Sequence, residues 1–140
     1  MSSRTKQLEP AVEQARQRSE DALAQLAAQQ QALAKAEHQL GELQRYRLEY
    51  AATHGAQSVT ALLNRQQFVE RIDRAIVQQE AEVARQSRQL VQVRDHWRQA
   101  HARESALDSV VAQHREQERR AADRHEQAEV DERMQHRRLR

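Results

Sequence analysis

No cysteine occurs in the 140 residues, so neither a disulfide framework nor thiolate chemistry is open to this chain. Proline occurs once and glycine twice, which withholds the punctuation that a fold of many short elements needs. The aromatic side chains are Tyr46, Tyr50, Phe68 and Trp97 alone, too few to fill a globular core. No apolar run approaches the ~18 residues of a membrane span, and the start of the chain carries no signal-peptide core. Charge of one sign is missing as well: 23 basic and 21 acidic residues are interspersed, for a formal net charge of +2. That balance excludes the broad positive field on which nucleic-acid binding draws, and no basic stretch is interleaved with rings for stacking. The expectation is a cytoplasmic protein with no nucleic-acid partner.

What is present is 31% charged residues, a mean hydropathy of -1.05 and an abundance of Ala, Gln, Glu and Arg, most of them good helix formers. Such a chain is either disordered or built of long helices with one narrow apolar seam, and periodicity decides between the two. Stepping alternately by three and four from Leu8 meets Val12, Ala15, Ser19, Ala22, Leu26, Gln29, Leu33, Ala36, Leu40, Leu43, Arg47 and Tyr50, a mostly apolar heptad seam. The same stepping from Leu62 meets Arg65, Val69, Ile72, Ile76, Gln79, Val83, Gln86, Leu90, Val93, Trp97, Ala100, Glu104, Leu107 and Val111. Past Val111 the helical composition continues, but His114, Glu118, Ala121 and His125 no longer supply apolar groups. Pro10 is expected near the start of the first helix, where a missing N–H costs little, and Gly41 inside it weakens it by about 1 kcal/mol relative to Ala.

Between the two seams, Thr53-His54-Gly55-Ala56-Gln57-Ser58 holds the one plausible reversal. Gly55 can adopt positive φ there, and Ser58 or Thr60 can cap the second helix. Folding back at this point places residues whose numbers sum to roughly 113 opposite one another, and the second seam then stops about where the first helix runs out. The sequence therefore predicts an all-α fold, an antiparallel two-helix coiled-coil hairpin with a longer second helix extending past the first. The expected boundaries are helix 1 at about 5–52, the turn at about 53–59 and helix 2 at about 60–135, unpaired after about 112, all in one coiled-coil unit. The polar seam members Gln29, Arg47, Gln79 and Gln86 weaken such a pair while helping to fix its register. A monomeric hairpin is expected when the chain is free.

Catalysis finds no foothold. There is no Gly-rich phosphate loop, no nucleophile elbow and no cleft in which two carboxylates could take different proton affinities. No two of the seven histidines are three or four residues apart, so pairs such as His125 and Glu129 read as a charged helix face rather than metal ligands. No enzyme activity, metal, cofactor or small-molecule substrate is expected. The segment 133–140 holds four arginines and no acid, a short solubilising end for a helix.

The window around the turn is different. Gln39, Leu43, Tyr46 and Tyr50 follow an i, i+4, i+7, i+11 track on helix 1, and Phe68, Ile72, Ala75 and Gln79 follow the same track on helix 2. Leu43, Tyr50, Ile72 and Gln79 belong to the seam, whereas Gln39, Tyr46, Phe68 and Ala75 lie on its flank. An aromatic patch wider than the seam is thus left beside the turn, suited either to docking a partner or to holding the hairpin end against fraying.

Leu43-x-x-Tyr46-Arg47-x-Glu49-Tyr50, a short Gly/Ser turn, Asn64-x-x-Gln67-Phe68 and a distal Trp97 together resemble the flagellar FliJ family. The resemblance covers the whole chain in layout, with its motif content concentrated in residues 39–79; Arg65 stands where members often carry an aromatic residue. It implies a non-enzymatic stalk of the bacterial flagellar type III export apparatus, peripherally associated with that apparatus at the inner membrane. It also implies as partners a hexameric export ATPase, the cytoplasmic domain of the export gate, and export chaperones. Carried onto this sequence, the gate-docking residues are Gln39, Leu43, Tyr46, Tyr50, Phe68, Ile72, Ala75 and Gln79. The end that enters the ATPase ring is marked by Leu8, Val12, Trp97, Leu107 and Val111. Two alternatives stay open on sequence: the equivalent stalk of a virulence type III system, and a generic self-associating coiled-coil scaffold.

Overall fold

The computed structural model describes residues 4–52 and 58–139, and these form two α-helices, α1 (Arg4–Ala52) and α2 (Val59–Arg138), with no strand among them. The helices pair as an antiparallel hairpin whose second helix is the longer, 80 residues against 49. The expected turn at Gly55 lies outside the described residues. Ser58 is described and caps α2: its hydroxyl accepts the Ala61 N–H at 3.1 Å while its carbonyl accepts the Leu62 N–H at 3.0 Å. Pro10 lies inside α1, which already begins at Arg4, so it removes one helical hydrogen bond rather than occupying the harmless first position.

Two compact units are distinguishable, one formed by residues 4–21 with 98–139 and the other by Ala22–Trp97. In each, burial follows the heptad stepping. Within the first unit Ala15 and Ser19 are buried on α1 while Leu107 and Val111 are half-buried on α2. The seam does not end with its apolar members, because the buried Thr5 donates its hydroxyl to the Glu118 carboxylate, 3.3 Å from each oxygen. From Gln117 to Leu139 every residue is exposed.

The Ala22–Trp97 unit buries Ala22, Leu26 and Ala36 on α1, and on α2 it carries a row of half-buried side chains from Arg65 to Trp97 that includes Ile72, the buried residue of that helix. Small residues on one helix face large ones on the other, which lets the axes approach without voids. Polar seam positions are satisfied across the pair: the Gln29 amide donates to the Gln86 side chain at 2.7 Å and to its main-chain carbonyl at 3.1 Å. Gln79 likewise donates to the Ala36 carbonyl at 2.9 Å and to the Gln39 side chain at 3.2 Å. Among the described residues no buried side-chain nitrogen or oxygen lacks a hydrogen-bond partner.

The register lies within a few residues of the expected one over much of the pair. Gln29 meets Gln86, Gln79 meets the Ala36 carbonyl and Arg65 meets the Tyr50 carbonyl with numbers that sum to 115, close to the expected 113, while Arg47 with Asp73 and Thr5 with Glu118 give 120 and 123. At the start of α2, Val59, Leu62 and Leu63 are exposed, and Arg65 hydrogen-bonds to the Tyr50 carbonyl of α1. Leu62, the expected first member of the second seam, is more than half exposed.

Candidate docking surface

All eight tip candidates lie in the Ala22–Trp97 unit. The heptad seam brings Tyr50, two residues before the end of α1, onto Phe68 of α2: the rings stack with centroids 4.4 Å apart and an interplanar angle of 29°. Stacking does not bury them, since Tyr50 keeps 38% and Phe68 40% of their surface. Tyr46, one turn before Tyr50, is 48% exposed, with the Arg45 guanidinium 5.9 Å from its ring centroid. These three rings form a half-exposed aromatic surface.

The other five candidates play different parts. Gln39 and Gln79 hydrogen-bond to each other, with Gln39 at the exposed edge and Gln79 half-buried. Leu43 and Ala75 are half-buried, whereas Ile72 retains only 7% exposure and belongs to the packed seam. A partner lying on this surface therefore meets the rings and Gln39 directly, and meets Ile72 only through the shape that its packing imposes.

Two arginines cross between the helices near the Tyr50 ring, Arg47, which the sequence marks as a polar seam member that helps to fix register, and Arg65. Arg47 pairs with Asp73 through its Nε, with its Nη2 3.5 Å from the second carboxylate oxygen, and that hydrogen bond pushes the Arg47 guanidinium further above its ordinary value. Arg65 donates from Nε at 3.1 Å and from Nη2 at 2.7 Å to the main-chain carbonyl of Tyr50. Nothing periodic announces a side chain that reaches a backbone carbonyl, although an arginine at each of two seam positions in an otherwise apolar stretch is a usable signal.

Of the remaining candidates, Leu8, Val12, Leu107 and Val111 are half-buried members of the unit of residues 4–21 and 98–139, and Trp97 belongs to the Ala22–Trp97 unit. The apolar groups there turn toward the seam, which leaves charged side chains outermost. Arg16 bridges Glu13 at 2.6 Å and approaches Glu20 at 3.8 Å; its hydrogen bond holds the Glu13 carboxyl below the ordinary glutamate range. Farther along α2, Arg119 bridges Glu116 at 2.8 Å and Asp123 at 3.1 Å. Such i,i+3 and i,i+4 pairs are exposed and contribute little to stability. His125 meets Glu129 at 3.2 Å in the same way, and no cluster of three metal-ligating side chains exists among the described residues. No described helix is long and apolar enough to cross a membrane.

The arrangement defines a coiled-coil hairpin that offers a partner a half-exposed aromatic surface on one unit and charged helix faces on the other. A family model, flagellar FliJ protein, matches residues 4–140, essentially the whole chain, and the protein belongs to that family. Membership makes it a component of the flagellar protein export apparatus, in a family that is structural rather than enzymatic. No curated protein and no solved structure matches it.

Proposed function

We propose that this protein is the stalk that couples the hexameric flagellar export ATPase to the cytoplasmic domain of the export gate, and that it also meets export chaperones. The aromatic surface of Tyr46, Tyr50 and Phe68, with Gln39 at its edge, docks on the gate domain. The observation that carries this reading is the stacked yet open pair of Tyr50 and Phe68, since rings held in place but 38% and 40% exposed are poorly used as core and well used as a contact. The unit bearing Leu8, Val12, Leu107 and Val111 enters the ATPase ring, where its charged exterior makes weak, reversible contacts with the lumen. The protein works at the cytoplasmic face of the inner membrane through these partners, with no catalytic group of its own.

The test is Tyr46→Ala combined with Phe68→Ala. Capture of the purified gate domain is lost while circular dichroism still reports the wild-type helix content. A parallel fall in helicity would show instead that the rings secure the hairpin end.

A further inference from the structure

We propose that Arg65 is the positioning residue of the aromatic surface: it fixes the end of α1 so that the Tyr50 ring is held against Phe68. The inference rests on the docking role given above to these rings. Tyr50 lies in the last turn of α1, where carbonyls have no helical N–H to accept. That last turn contains no basic residue to complement the negative end of the helix dipole, and Arg65 supplies one from the neighbouring helix. Its two N–H groups converge on the single Tyr50 oxygen, at 3.1 Å from Nε and 2.7 Å from Nη2, which fixes both the height and the direction of that peptide.

Phe68 follows Arg65 by three residues, so the guanidinium and the Phe68 ring leave α2 on one face, a single turn apart. Tyr50 is thus gripped twice, its backbone by Arg65 and its ring by Phe68, with centroids 4.4 Å apart. The Arg47 and Asp73 pair closes the helices one turn deeper along α1. Between these two crossings a ring pair can stay open to solvent and still be ordered, and an ordered contact loses less freedom when a partner arrives. Remove the upper crossing and the last turn of α1 frays, carrying the Tyr50 ring off its neighbour.

The experiment uses the full chain with Arg65→Met, Arg65→Lys and Arg47→Met. The chain has one phenylalanine and two tyrosines, so NMR cross-relaxation between the Tyr50 and Phe68 rings can be followed directly. Arg65→Met, which keeps the stem and removes the donors, loses those cross-peaks while helix content and urea midpoint stay near wild type. Its affinity for the purified gate domain falls roughly tenfold, as expected when the Tyr50 side chain must be ordered on binding instead of beforehand. Arg65→Lys restores part of both signals, and Arg47→Met keeps the ring cross-peaks. Undiminished cross-peaks in Arg65→Met overturn the proposal, as does equal loss in Arg47→Met, which would assign ring order to helix pairing in general. Should the wild-type chain fail to bind the gate domain, the docking reading fails, and the ring cross-peaks still decide the role of Arg65.

Discussion

Ile72→Ala is the substitution that most directly tests the helix pairing. Ile72 is the buried residue of α2, with 7% of its surface left, and it lies next to Asp73, which pairs with Arg47 across the helices. Truncating a buried isoleucine to alanine costs about 2–5 kcal/mol, the spread reflecting how far neighbours close on the space. A two-helix pair has solvent on both flanks and can settle, and alanine regains a few tenths of a kcal/mol as a better helix former. The net expectation is therefore the low end, about 2 kcal/mol, which at an m-value near 2 kcal/mol/M lowers the urea midpoint by roughly 1 M. Val77, five residues on and 67% exposed, provides the control: Val77→Ala changes stability by no more than about 0.5 kcal/mol. Melts of both variants followed at 222 nm give the comparison. If Ile72→Ala costs no more than Val77→Ala, the seam does not pair as described, and every contact assigned to the aromatic surface loses its support.

Gly41 lies inside α1 and an added Cβ would meet nothing within 4 Å, so Gly41→Ala raises the urea midpoint by an amount equivalent to about 1 kcal/mol. Glu82 carries a carboxyl held below its ordinary value of 4.5, first by the Arg85 hydrogen bond and then by Gln86. A lowered value in the folded state means stabilisation that is complete above the unfolded value and fades as pH falls through the folded one. Carbon-13 titration of that carboxyl should accordingly give a midpoint below 4.5 in the wild type and one moved back toward 4.5 in Arg85→Gln.

The heptad stepping located the seam because spacing is a local property: each of Ala15, Ser19, Ala22, Leu26 and Ala36 could be assigned an inward face from its neighbours in sequence, and all are buried. Register is different. Sliding one helix past the other by a heptad presents the same residue types again, so composition discriminates weakly between registers, and the choice falls to individual polar contacts. Gln29 with Gln86 and Gln79 with Ala36 make that choice, yet each pairing depends on a rotamer and a backbone carbonyl that no pattern encodes. Thr5 and Glu118 show the same limit, because a carboxylate in the seam looks like the end of pairing until its hydroxyl partner is seen.

At the tip, the sequence pattern divided eight residues into seam and flank, and that division does not match which of them are exposed, since seam Tyr50 is open and flank Ala75 half-buried. Ile72 and Tyr50 both fall on the seam by spacing, but one is 7% exposed and the other 38%. The difference follows position along the pair: Ile72 lies well inside α2, whereas Tyr50 is two residues from the end of α1. A seam residue at a helix end is thereby converted from a knob into an exposed ring, and it keeps a fixed orientation only if something other than packing supplies it. Arg65 supplies that constraint through the Tyr50 carbonyl and Phe68 supplies it through the ring, so that a surface open enough to be touched remains ordered enough to be recognised.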